Sequence, residues 1–427
     1  MLVVFSIIAV FICLFCTLIS VRDKLSPQFL FCGFIGLITF FASLPGFPAA
    51  NVMTYILIIT GILAYTIGCN IGNQISRPIT VSMQLRPNFI LYLVVVLLAW
   101  SLYRAFTVTV PLLMMGYPLD IVRMVYFGAE FQGFSYRPID GMVETYVNQP
   151  FLYALIPIVS LEILKKKEER QLPIHTLFFL ISWIVLSCAI SGGRMLIFCL
   201  IVVVGVAYLF RQNRNKILTK KKEKKKLIVI SSLSAVLIYI IYLFSIYRGS
   251  TEGGDYDFAH SIYVYFCGCI PHTALRLETE TIDYTYGMTL LQGVLRPLAL
   301  LYKYTLGGGD FPTLYQRAID IAFVLQDEVQ IGKFTFNAFV IPFYFFYFDG
   351  GIVAVIIDSV LYGMFCGISY KKARSTQTDI TLAKYLVVVI YISTSMVRFS
   401  PYIAYYALAY FYVSFCYKRQ KICKELV

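Results

Sequence analysis

Again and again along this chain, a helix-length stretch passes with hardly a charge. Such runs lie near 1–20, 27–45, 52–71, 88–110, 150–164, 174–190, 195–210 and 227–247, and again near 334–348, 351–370, 379–396 and 399–417. A membrane-crossing helix needs about 20 mainly apolar residues. The pattern therefore reads as an all-α, polytopic membrane protein with about twelve transmembrane helices. Residues 1–427 form a single integral membrane domain, with no soluble segment large enough to fold alone.

Composition agrees. The chain is 59% hydrophobic and 14% charged, where soluble domains are nearer half apolar and a quarter charged. Tyrosine (33) and phenylalanine (35) far outnumber tryptophan (2), a mixture that suits interfacial belts and carbohydrate-stacking surfaces. The net charge of +13 gathers in short runs between apolar segments, such as KKKEER (165–170) and KKKEKKK (220–226). These read as positive-inside topology signals, and nucleic acid is not an expected partner. Most of the 11 cysteines fall inside expected spans, where they act as small hydrophobes. The CGC at 267–269 has no nearby ligand set, so no metal site is expected. The first apolar run lacks a basic leader and an A-x-A cleavage site, and reads as a retained span.

The positive-inside rule puts VRDK (21–24), 72–87, 165–170, 211–226 and the tail KRQKICK in the cytoplasm. Two long connections, 112–149 and 248–333, then face outward as loops, as does the turn at 191–194. Beyond residue 248 the count fails by one crossing. KKAR (371–374) belongs inside by charge but falls outside by counting. An extra or re-entrant segment within 258–306 would repair it, with GMTLLQGVLRPLALLYKY (287–304) as the candidate.

An arginine within a span pairs, snorkels or lines an aqueous pathway. Arg104 lies inside AWSLYRAFTV, Arg194 opens the seventh span, Arg248 ends the eighth, and Arg398 interrupts the last hairpin. Arg194 and Arg248 share the outer face, and Arg398 joins them once the count is repaired. Guanidinium forks match phosphate oxygens, so a membrane-borne phosphate or diphosphate is the expected ligand, with snorkelling to headgroups as the plain alternative. Gly192 and Gly193 precede the helix that carries Arg194, and such a turn is either an anion cradle or a simple tight bend. In the larger outer connection, Glu252, Asp255 and Asp257 follow Arg248, and His260, His272 and Arg276 come next. A base acting on a sugar hydroxyl needs a carboxylate or an imidazole, while a solvated loop charge is the ordinary reading for any one of these acids. No P-loop, dinucleotide fingerprint, H-E-x-x-H or G-x-S-x-G occurs, and no D-x-D in a soluble domain would hold a metal–nucleotide sugar.

Four stretches together resemble the Wzy-type oligosaccharide repeat-unit polymerases of bacterial O-antigens and capsules. SGGR (191–194) heads one span, YRGS (247–250) ends the next, and YTYGMTLLQGVLRPL (284–298) lies in the outer loop. The fourth, FTFNAFVIPFYFFYFDGGIVAVIIDSVLYG (334–363), is similar to the family's asparagine-led span, aspartate–glycine turn and glycine-bearing span. The turn departs from the pattern in reading Asp349-Gly350-Gly351, without the aromatic residue common between aspartate and glycine, and Ala-Phe follows Asn337 where the family often has a hydroxyl residue nearby. The resemblance implies a GT-C-like membrane glycosyltransferase in the bacterial inner membrane, working on the periplasmic or exterior side without metal, nucleotide or other cofactor. Its substrate would be an oligosaccharide on undecaprenyl diphosphate, with membrane lipids and a chain-length regulator protein as further partners. On this reading Arg194, Arg248, His272 and Asp255 carry the chemistry. Gly192, Gly193, Arg276, Tyr286, Arg296, Asn337 and Arg398 hold substrate. An O-antigen ligase would share the arginines and the histidine. A lipid-linked oligosaccharide flippase would keep its arginines in a central cavity between short connections, and a structural scaffold would leave them without purpose.

Overall fold

The structure, a computed structural model, describes residues 2–21, 23–44, 50–75, 83–126, 131, 137–191, 195–214, 258–281, 283–331, 334–336, 339–376 and 378–419. In chain order its helices are α1 (Leu2–Ile19), α2 (Pro27–Ala42), α3 (Val52–Ile75), α4 (Pro87–Met114), α5 (Leu119–Tyr126), α6 (Pro138–Leu164), α7 (Ile174–Ser191) and α8 (Met195–Arg214). There follow α9 (Phe258–Cys267), α10 (Cys269–Thr279), α11 (Met288–Thr305), α12 (Thr313–Val324), α13 (Pro342–Thr376), α14 (Asp379–Thr394) and α15 (Ala404–Tyr412). Two short antiparallel pairs join β1 (Met83–Leu85) to β4 (Tyr417–Arg419) and β2 (Val329–Ile331) to β3 (Phe334–Phe336). Among the described residues five helices, α1, α3, α4, α6 and α13, are long and apolar enough to cross a membrane. The eighth expected span, 227–247, lies outside the described residues.

The chain divides into two compact units. One comprises Met1–Ile79, Ala259–Gln377 and Val388–Leu408, and the other Thr80–Phe258, Thr378–Val387 and Ala409–Val427.

The first unit is built on α3 and α13, which run parallel in close contact. Gly68 and Gly72 on α3 face the backbone of Val360 and Met364, while Gly363 and Gly367 on α13 face that of Tyr65 and Cys69. Four residues between partners bring each glycine to the same face one turn on, and the missing Cβ lets the two backbones meet. Around this seam the rings of Phe31, Tyr65, Phe346, Tyr362 and Phe399 interlock, with centroids 4.2 to 6.4 Å apart.

One expected span is not a span. Within α13 the backbone leaves helical angles at Gly350 and Gly351, where φ is 160° and 69°. Gly351 combines that φ with a ψ of −153°, a conformation open essentially to glycine alone. The segment before the break, 342–349, is about 12 Å long, well short of the roughly 30 Å hydrocarbon layer. The run expected to cross at 334–348 is therefore a strand, a loop and a half-helix, and only the part of α13 after the glycines is long enough to cross.

The second unit gathers α4, α6, α7 and α8 with the β1–β4 pair. The span expected over 150–164 begins earlier, at Pro138. Asp140, Glu144 and Asn148 recur every four residues, so their polarity falls on one helix face that points inward. Asp140 accepts from Arg104 on α4 at 3.4 Å. The Glu144 carboxylate accepts from Trp100 Nε1 (3.1 Å), Tyr126 OH (3.0 Å), Asn148 Nδ2 (3.0 Å) and Gln149 Nε2 (2.6 Å). Five-residue π segments, Ala105–Thr109 and Glu144–Asn148, widen both helices at this network. Pro150 cannot donate to the carbonyl of Tyr146, and Tyr412 OH donates to it instead at 2.7 Å.

Candidate functional site

The glycine turn of α13 is tied to the start of α11. Gly287 (φ 88°) ends a tight turn, and Met288 opens the helix, leaving its first N–H groups without intrahelical acceptors. Asp349 fills that role from a distant part of the chain. Its carboxylate accepts from the backbone N–H of Thr289 (2.9 Å) and Leu290 (3.0 Å), from Thr289 Oγ1 (2.5 Å) and from Thr285 Oγ1. The backbones are joined too, with Thr285 N–H donating to Phe348 O (2.9 Å) and Tyr286 N–H to Asp349 O (3.1 Å). A carboxylate at a helix N-terminus gains from both these bonds and the helix dipole. Further along α13, the buried Asp358 lies against Asp349, and its Oδ2 makes no hydrogen bond among the described residues.

This clasp presents two aromatic rings. Tyr286 adopts φ 52°, a left-handed conformation that costs an L-residue about 1–2 kcal/mol, and it is 69% exposed. Tyr284 is also exposed, with ring centroids 6.5 Å apart. Strain spent to hold an exposed aromatic ring marks a position where the ring's placement matters.

The half-helix 342–349 carries a second polar feature on another side. Phe345 stacks on Tyr402 (4.7 Å, 24°), in the turn that follows Arg398. The half-buried Arg398 is set among Tyr265, Tyr402, Tyr405 and Tyr406, and no carboxylate pairs with it among the described residues. Cys269 Sγ donates to Met396 O (3.4 Å), fixing this turn against α10.

His272 and Arg276 sit one turn apart on α10 and hold each other. His272 Nδ1 donates to Phe339 O at 2.7 Å, and its Nε2 accepts from Arg276 Nε at 3.2 Å. Arg276 also donates to Glu280 Oε1 (2.9 Å) and Asp327 O (2.8 Å). Burial pushes the imidazole pKa down to about 4, the Phe339 carbonyl opposes that shift, and the Arg276 charge adds to it. With both ring nitrogens engaged and no exposed surface, His272 lacks the open nitrogen that a base on a sugar hydroxyl requires. In this structure His272 and Arg276 brace α10 against Phe339 and Asp327.

Arg296 is likewise occupied. Its guanidinium lies over the rings of Phe311 (4.9 Å) and Tyr315 (5.9 Å), joining α11 to α12. Of the remaining expected site residues, Arg194, Arg248, Asp255, Gly192, Gly193 and Asn337 lie outside the described residues. The first unit thus brings together two quoted sequence stretches, the Tyr284–Thr289 turn and the Asp349-Gly350-Gly351 turn. Sequence reasoning did not reach the Thr285 and Thr289 clasp, Asp358 or the tyrosines around Arg398. The i, i+4 spacing of the two threonines was the available signal.

Fold and site together define an all-α membrane protein with a polar, tyrosine-bearing clasp at one end of its glycine-seamed helix pair. Comparison with protein-family models, curated proteins and solved structures returned no match.

Proposed function

We propose that this chain is a GT-C-like membrane glycosyltransferase of about eleven spans, one fewer than the apolar runs suggest, that polymerises lipid-linked oligosaccharide repeat units at the outer face of the bacterial inner membrane. The observation that carries the reading is Arg398, a guanidinium without a carboxylate counter-ion among the described residues and set among four tyrosines. Such a group suits a diphosphate oxygen, and the rings suit the sugar attached to it.

Sidedness supports the same reading. Arg374 of KKAR pairs with Asp23 of VRDK, and Tyr370 donates to the same carboxylate. Both basic stretches therefore share one membrane side, which the charge rule makes cytoplasmic. Because α13 runs parallel to α3, its glycine turn lies at the opposite, outer end. On this reading no added span is needed, because the half-helix 342–349 would enter and turn back on the outer side.

In the proposed reaction, the acceptor hydroxyl oxygen bonds the anomeric carbon of the growing glycan. The bond from that carbon to the carrier diphosphate breaks, and its electron pair leaves with the diphosphate. Arg398 stabilises the charge that develops there. The hydroxyl proton passes to a carboxylate base. Tyr284 and Tyr286 stack on the glycan. Asp349, His272 and Arg276 hold the frame.

The test is complementation of a deletion strain followed by a gel of surface-glycan length. Arg398→Ala should yield single repeat units at normal protein abundance, and Arg398→Lys should remain impaired because a point charge does not replace a planar fork. Long chains at normal levels in both variants would remove Arg398 from the mechanism. Unattached lipid-linked polymer in the deletion strain would point instead to a ligase.

A further inference from the structure

The outer connection contains a helix whose apolar face no described element covers. On α11 the exposed residues Leu291, Val294, Leu298 and Leu301 follow one another at spacings of three, four and three, so they form a single stripe. Thr289, Gln292, Gly293 and Ala299 occupy the opposite face and are buried, with Gly293 pressed against the backbone of Pro401.

This helix does not cross the membrane. The chain turns at Gly308 and Gly309, both at positive φ, and folds back through α12, where Tyr315 OH donates to Gln292 O at 3.1 Å. At 12 residues α12 is about 18 Å long and carries Arg317 and Asp320, so it cannot provide a return crossing. The α11–α12 hairpin therefore enters and leaves on one side.

Two features say what covers the stripe. The first is continuity with a lipid-facing surface. The exposed Ile352, Val353, Ile356, Ile357 and Leu361 of the α13 span begin directly after Gly351, and Asp349 binds the first turn of α11. The stripe thus starts where the hydrocarbon-facing surface of the span ends. The second is the chemistry of the far end of α11. Exposed Tyr302 and Tyr304 flank Lys303 there, the aromatic and basic pairing that settles at headgroup depth.

We propose that α11 is an in-plane membrane anchor, lying in the bilayer surface at the glycine-turn end of α13 with the Leu291–Leu301 stripe among the outer acyl carbons. The partner is the lipid surface itself. Its effect is to hold the Asp349 clasp and the Tyr284–Tyr286 pair at the depth where headgroups sit, whatever chemistry the site performs. The hairpin carries Arg296, Lys303 and Arg317 against Asp310 and Asp320, so anionic lipid is not required.

The full-length protein reconstituted in phosphatidylcholine vesicles tests this. Single-cysteine variants Leu298→Cys, Leu301→Cys and Asp320→Cys are labelled with an environment-sensitive fluorophore. Each is then exposed to lipid spin labels near the headgroup, to spin labels near the chain end, and to aqueous iodide. A helix buried about 5–10 Å into the interface predicts that the shallow label quenches positions 298 and 301 at least about twofold more than the deep one, with iodide reaching only position 320. Stronger quenching by the deep label would mean a membrane-crossing helix and overturn the proposal. So would iodide access at 298 equal to that at 320, and so would protection of 298 and 301 from all three quenchers, which would mean a protein cover. None of these readouts depends on glycan synthesis, so the anchor and the polymerase reading fail separately.

Discussion

Asp349 and Thr289 lie 60 residues apart in sequence, yet the Asp349 carboxylate takes both the backbone N–H and the hydroxyl of Thr289. This pair joins a glycine-broken membrane helix to the in-plane α11, and the exposed Tyr286 stands on the turn between them. Asp349→Asn keeps the shape but replaces one acceptor oxygen with an amide that faces donors. Asp349 is 3% exposed, so the unmet donors cannot turn to water, and the expected loss is about 3 kcal/mol. Thermal unfolding in detergent reads it out. A change within about 0.5 kcal/mol would mean that the carboxylate does not hold the turn.

His272 predicts a pH dependence of stability. The folded pKa is lowered to about 4 from an ordinary value near 6.5, so between those values the unfolded chain binds more protons. Stability is then fully present above about pH 6.5, falls as pH drops through the window, and levels off below about pH 4. For this fully buried ring the total is roughly 3 kcal/mol. Denaturant unfolding at about pH 7 and about pH 4.5 should show the loss in the native protein and a smaller loss in His272→Gln. An unchanged pH slope in the variant would exclude the imidazole as its source.

What the sequence made legible depended on how far apart the cooperating residues lie. The helices over 2–19, 52–75 and 87–114 could be read directly, because hydropathy is a local property. The span at Pro138 was hidden because Asp140, Glu144 and Asn148 look like loop residues until Arg104, Trp100 and Tyr126 are beside them. The run at 334–348 has the composition of a span, and only the glycine geometry reveals a half-helix. At the site, Arg398 stood out by its charge between apolar runs, and Tyr286 only through the resemblance of the 284–298 stretch. The burial of His272 between Phe339 and Arg276 was not legible, because Phe339 lies 67 residues away in sequence.

The α3–α13 seam was also readable, since Gly68 and Gly72, and Gly363 and Gly367, each stand four apart. A methyl group at Gly68 or Gly363 meets a backbone carbonyl, of Val360 or Tyr65, which cannot move aside as a side chain would. Gly68→Ala and Gly363→Ala should each cost about 3 kcal/mol by forcing the helices apart. Gly205, in α8, has open space where its Cβ would be, so Gly205→Ala should stabilise by about 0.5–1 kcal/mol through helix propensity. Detergent melting curves for the three variants check the contrast, and no loss at Gly68→Ala and Gly363→Ala would show that the seam tolerates a methyl group.

The Arg104–Asp140 pair is a different kind of contact, two charges buried within spanning helices 3.4 Å apart. Removing one partner leaves the other charge without compensation in a low-dielectric interior, which typically costs about 3–5 kcal/mol. Arg104→Met also strips a donor from the Tyr126 carbonyl, bonded at 3.1 Å, so its loss should fall in that range. Replacing both charges removes the uncompensated ion, and Arg104→Met with Asp140→Leu should recover most of the loss, to within about 1 kcal/mol of the native protein. Unfolding free energies of the two single variants and the double variant form the cycle. Additive losses would mean that the pair is not coupled, and that the polarity of α6 is held instead by the four neutral donors around Glu144.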